Sequence, residues 1–156
     1  MSYAMSPSPL PEALQIIRAV PGYTEVGVEL AQLASENRIR FDPALEDRAQ
    51  AGLLGVITLG PEAMGSSSLS LAQTLVHEHF HLRRQNPFLK TLSFWSGIAS
   101  GTPVMKRYEQ PAYQAAHDFL EVVKRTKIHL ANEADNEQRA IRQVFNTEYG
   151  GHLSGS

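Results

Sequence analysis

Residues 74–85 read TLVHEHFHLRRQ and place His77, Glu78, His79 and His81 within five consecutive positions. On a helix, positions i and i+4 stand one turn apart on the same face, so the imidazoles of His77 and His81 can grip a single ion. Glu78 then projects beside that ion without having to bind it. A catalytic zinc site keeps one position open, where the ion acidifies water, and a neighbouring carboxylate can take the released proton. The spacing therefore predicts Zn2+ on His77 and His81, with Glu78 as general base. His79 lies two residues from each ligand, points to the other side of the helix, and is expected to take a surface or supporting role.

Two imidazoles leave a third ligand to be found. The metzincin extension requires Gly at position 84 and His at 87, where this chain has Arg84 and Pro87. A His-x3-His-x5-His pattern fails at position 87 as well. The remaining common solution is a carboxylate from a downstream helix, for which Glu109, Asp118, Glu121 and Glu133 qualify. Glu109 leads and Glu121 follows. Ala112, Ala115 and Ala116 would let the helix carrying Glu109 approach a neighbour closely, and Pro111 suits a first turn, which puts Glu109 at or near the helix start. Tyr113 and His117 fall one and two turns beyond Glu109. Either has the chemistry to donate a hydrogen bond to the oxyanion of a tetrahedral intermediate, which makes both catalytic candidates.

The rest of the chain must position these groups. With 156 residues it is the size of one domain, and the absence of cysteine excludes disulfides, thiolate metal sites and cysteine nucleophiles. A formal net charge of -2 gives no broad electrostatic reason to expect nucleic acid as a partner. No apolar run is long enough to span a bilayer, and the first thirty residues lack the basic start and apolar stretch of an export signal. Residues 1–10 read as a Ser/Pro linker or cloning remnant, and residues 11–156 as a single domain. Helices are expected over 11–20 and 23–37, strands over 38–41 and 52–60, and the motif helix from the GSSSLS caps to Asn86-Pro87. The apolar stretch 88–105 reads as a lid or lip, with 88–98 also suited to membrane contact. Two further helices, over 107–125 and 132–146, complete a mainly helical α+β domain with a small antiparallel or mixed sheet beside the motif helix.

The run TLVHEHFH followed by EQPAY at 109–113 resembles the gluzincin metallopeptidases, over roughly residues 53–120. The compact layout with its Ser/Pro lead-in is similar to zincin effector domains of bacterial secretion-system proteins of the VgrG kind. The resemblance implies a zincin-like fold, zinc on His77, His81 and Glu109, and Glu78 as both base and acid. EQPAY stands where the more familiar arrangement is Glu-x-x-x-Asp. The expected activity is a zinc-dependent endopeptidase acting on a protein or peptide held by edge pairing along strand 53–59. The resemblance further implies fusion to a larger delivery protein that carries the domain to another cell or to the periplasm. The rival expectation is a non-catalytic zinc-binding or partner-binding module, marked by a closed four-ligand site.

Overall fold

A computed structural model describes residues 8–52, 55–84 and 102–154. Most of the expected lead-in, the apolar stretch 88–101, the Asn86-Pro87 stop and the start of the expected strand 53–59 lie outside the described residues. The architecture is mainly helical α+β, as the sequence leads one to expect. In chain order it comprises α1 (Leu10–Ala19), α2 (Thr24–Ser35), β1 (Ile39–Phe41), β2 (Ala49–Ala51), β3 (Ile57–Leu59), α3 (Pro61–Met64), α4 (Ser68–Arg84), α5 (Thr102–Thr126), a 3-10 turn (Ile128–Leu130) and α6 (Ala131–Tyr149).

The motif helix α4 is the centre of the domain. Every residue from Leu69 to Val76 is buried, because α1, α2, α3, β2, α5 and α6 all pack against this helix. A helix enclosed on all sides cannot be amphipathic in the usual way, and Ser70, Gln73 and Thr74 share its interior with Leu69, Leu71, Ala72, Leu75 and Val76. Its start is fixed by Ser67, whose Oγ accepts a hydrogen bond from the Ser70 N–H at 3.2 Å, the expected reach of an N-cap side chain.

The sheet is mixed, in the order β1-β3-β2, with β1 parallel and β2 antiparallel to β3. This corrects the expectation that strand 53–59 offers a free edge. β3 is the central strand and spends its hydrogen-bonding groups on both neighbours, so the edges belong to β1 and β2. Strand β2 was not legible, because its sequence, AQA, carries no β-branched or aromatic residue. It packs against α4, and Arg48 fastens it there. The guanidinium donates to Thr74 Oγ1 at 2.7 Å and Ser70 Oγ at 2.5 Å on α4, and to Glu62 Oε1 at 3.1 Å on α3.

Helix α5 starts earlier than its sequence suggests. It begins at Thr102, so residues 102–105 belong to a helix and not to the apolar lip, and Pro111 lies inside the helix instead of in its first turn. The missing N–H at 111 leaves the Arg107 carbonyl without its helical donor. Arg107 and Pro111 are both exposed, so water can serve that carbonyl and the helix continues. Ala112, Ala116, Phe119, Leu120 and Val123 bury one stripe of α5 between α4 and α6. Helix α6 buries Ala134, Gln138, Ile141 and Phe145 and ends at Gly150, whose φ of 65° is the left-handed turn that favours glycine. Among the described residues, no helix is long and apolar enough to cross a membrane.

The corner between β3 and α3 has no room for a side chain. A Cβ at Gly60 would meet the carbonyl oxygens of Asp47 and Leu45, while the Gly60 N–H donates to the Arg48 carbonyl at 2.8 Å. Gly60→Ala is expected to destabilise the fold by about 1–3 kcal/mol, read as a lowered urea midpoint at unchanged slope. An unchanged midpoint would show that the corner relaxes freely.

Candidate metal centre

Helices α4 and α5 bring three donor atoms to one point. His77 Nε2 lies 3.0 Å from Glu109 Oε2, His81 Nε2 lies 3.2 Å from the same oxygen, and the two Nε2 atoms are 3.3 Å apart. Bonds of about 2.0–2.1 Å in a tetrahedral site set neighbouring donor atoms about 3.3 Å apart, so the triangle has the size that a zinc-like ion requires. Among the described residues, His77, His81 and Glu109 form the one group of three or more His, Asp or Glu placed to hold a metal ion. They occupy a largely desolvated position, with His81 buried and His77 and Glu109 only slightly exposed.

Electrostatics favour an ionised ligand. Burial works against charge on Glu109, but hydrogen bonds from His77 and His81, reinforced by their charge, outweigh it and hold the carboxyl well below the usual carboxylate range. Glu78 stands beside the triangle and outside it. Its Oε1 is 4.0 Å from His77 Nε2, beyond hydrogen-bond reach, and its Oε2 is buried with no hydrogen-bond partner among the described residues. A buried carboxylate oxygen left without a donor costs free energy, of order 1–3 kcal/mol or more. Among the described residues no hydrogen bond to that oxygen offsets the cost.

Aromatic rings enclose the cluster. Tyr113 meets His77 edge-on, with centroids 4.6 Å apart, and Tyr108 lies flat against His81 at 4.5 Å. Tyr149, from the end of α6, approaches Tyr113 at 6.4 Å. Burial, followed by the charges of Glu109, Glu148 and Asp47, pushes the Tyr149 hydroxyl up to about 12, and burial raises those of Tyr108 and Tyr113 as well. All three are protonated donors at neutral pH. Spacing within the sequence does not single out Tyr108 or Tyr149. The first is adjacent to Glu109, a spacing that does not share a helical face, and the second comes from a separate helix with no local signal.

The other candidates lie elsewhere. His79 turns away from the triangle, as expected, and its Nε2 is 2.6 Å from Glu29 Oε2 on α2, an oxygen that also accepts from Arg83 Nε at 2.9 Å. His117 does not join the cluster, contrary to its reading as an oxyanion donor. Its Nε2 accepts from Arg142 Nη1 at 2.9 Å, so the ring serves the α5–α6 interface. Burial first, then the Arg142 charge, lowers its pKa and keeps it neutral. Glu121 accepts from Gln138 and pairs with Lys124, Glu133 accepts from Ser67, and Asp118 accepts from Gln114. None of these three carboxylates is in the group that could hold an ion.

Because outer groups around a metal already account for about 10–100-fold in affinity, loss of a direct ligand is expected to cost more than about 100-fold. Glu109→Gln should lose zinc affinity by that factor in a competition titration, while Glu121→Gln retains it. The reverse pattern would move the third ligand to Glu121. No protein-family model matches this chain, and no curated protein or solved structure matches it either, so its chemistry rests on the geometry of the His77, His81 and Glu109 centre.

Proposed function

We propose that the protein is a zinc-dependent hydrolase of peptide bonds, most simply an endopeptidase. The observation that carries this reading is the meeting of Glu109 with His77 and His81 while Glu78 remains beside them, buried and outside the ligand set. When bound, zinc supplies Lewis-acid polarisation of a carbonyl and brings the pKa of water toward neutrality. Glu78 takes the proton of the attacking water at its unpartnered Oε2 and returns it to the leaving amine. Tyr113, protonated and packed on His77, offers a hydroxyl to the developing oxyanion.

Strand β2 replaces β3 as the surface for an extended substrate. The Gly60 N–H donates to the Arg48 carbonyl and the Gly52 N–H to the Val56 carbonyl, which fixes 48/60 and 52/56 as hydrogen-bonded pairs. The alternation of an antiparallel ladder then turns the N–H and C=O groups of Ala49 and Ala51 outward. Among the described residues no strand pairs with that edge, and it belongs to the strand packed on α4. A peptide adding there would be held by main-chain hydrogen bonds, which suits a substrate recognised as protein rather than by one side chain.

Two observations weigh against the other chemistries. A non-catalytic structural zinc wants four protein ligands, whereas three converge here among the described residues. Two histidines and a carboxylate also suit non-haem iron(II), but Glu78 with its unpartnered oxygen is a group that water activation uses.

Metal analysis and turnover of a quenched-fluorescent peptide library test the reading together. The wild type is expected to carry about one zinc per chain, His77→Ala to lose it, and Glu78→Ala to keep it while kcat falls by about 10²–10⁴. A Glu78→Ala protein that cleaves as fast as the wild type, or a wild type that binds no zinc, would overturn the reading. Tyr113→Phe should lower kcat by about 10²–10³ at unchanged zinc content, and unchanged turnover would remove Tyr113 from the mechanism.

A further inference from the structure

A metal ligand has to be aimed as well as placed. The lone pair of an imidazole nitrogen lies in the plane of the ring, so rotation about the Cβ–Cγ bond alone can carry Nε2 off its ion. That torsion is broad for histidine, and the backbone of α4 does not fix it. Something beside the ring must.

For His81 one such neighbour is Tyr108. The two rings are stacked, with centroids 4.5 Å apart and planes inclined by 9°, and both residues are buried, His81 at 1% exposure and Tyr108 at 7%. Turning His81 about Cβ–Cγ would drive its edge into the face of the tyrosine, and close-packed interiors resist such a turn. His77 is bounded differently, by the edge-on ring of Tyr113 at 4.6 Å and 83°. Tyr108 and Tyr113 flank Glu109 in sequence, so one stretch of α5 delivers the third ligand and a wall for each imidazole.

We propose that Tyr108 is a positioning residue of the metal centre: its flat face fixes the plane of His81 and thereby aims Nε2 at the point shared with His77 and Glu109. The proposal rests on the metal-site reading above and extends it to a ring that contributes no ligand atom. What matters is the face and not the hydroxyl, so phenylalanine should serve and an aliphatic residue should not.

Cobalt(II) is the probe, because its visible ligand-field band reports coordination number and geometry as well as occupancy. Metal-free full-length wild type, Tyr108→Phe and Tyr108→Leu are titrated with Co2+, with far-ultraviolet dichroism and thermal melting of each metal-free form alongside. Tyr108→Phe is expected to match the wild type in affinity and band. Tyr108→Leu is expected to stay helical yet lose about 10–100-fold in Co2+ affinity, with a changed band. A folded Leu variant with wild-type affinity and band would overturn the proposal. So would a folded Phe variant that binds poorly, which keeps the idea exposed even if the Leu variant does not fold. A wild type that takes up no Co2+ would sink the metal-site reading itself, a result distinct from any difference among the variants.

Discussion

The contact on which the rest of this structure depends is that of one carboxylate oxygen with two imidazole nitrogens from the neighbouring helix. Glu109 Oε2 lies within 3.2 Å of both His77 Nε2 and His81 Nε2, in a position largely screened from water. Desolvating a charge of this kind costs several kcal/mol, and removing one partner would leave the others buried without compensation. The arrangement holds only if α4 and α5 cross at one height and in one rotation. Ala112 and Ala116, both fully buried, fall one and two turns along α5 from Tyr108, where a larger side chain would hold the helices apart. The packing of the two helices and the convergence of the ligands are one constraint.

The rotation of α4 about its own axis is fixed from several directions. Arg48 donates to Ser70 and Thr74 near its start and ties it to the sheet. Glu29 on α2 takes His79 and Arg83 from the face opposite the ligands. The Arg83 pair is largely exposed and contributes little by itself to stability. Its geometric effect is larger than its energy, because a residue two positions from each ligand, once held, settles which way those ligands point. His79 thus has a role in the site without touching it. The buried Leu69, Leu71, Ala72, Leu75 and Val76 supply the stability, and these polar contacts supply the angle.

The parts legible in the sequence are those that depend on spacing within one helix. His77, Glu78 and His81 share the geometry that their spacing demands, and small residues beside Glu109 marked it as the carboxylate able to come close. His117 shows where such reasoning fails. Each four-residue step along an α-helix rotates about 40°, so two steps from Glu109 carry a side chain about 80° around the axis. Tyr113, after one step, still faces α4, while His117 has turned to α6 and Arg142. Pro111 misled in another way, since an exposed carbonyl can be served by water and a proline need not begin a helix. The order of the strands was beyond reach, because β2 owes its place to Arg48 and to pairing with β3, and nothing in AQA announces either.

Buried polar atoms without partners are uncommon in native proteins, and each calls for a physical account. Among the described residues Glu78 Oε2, His117 Nδ1 and Gln138 Oε1 are such atoms. The latter two belong to residues that already bind across the α5–α6 interface, through Arg142 for His117 and through Glu121 and the His117 carbonyl for Gln138. Their free atoms are remainders of groups otherwise engaged in holding two helices together. Glu78 has no such engagement among the described residues: its Oε1 stands 4.0 Å from His77 Nε2, too far for a hydrogen bond. A carboxylate kept in the interior beside two imidazoles and a second carboxylate is a poor choice for stability. In the proposed hydrolase that oxygen would have water to deprotonate, which would tie the least stable feature of α4 to the chemistry proposed for its two histidines.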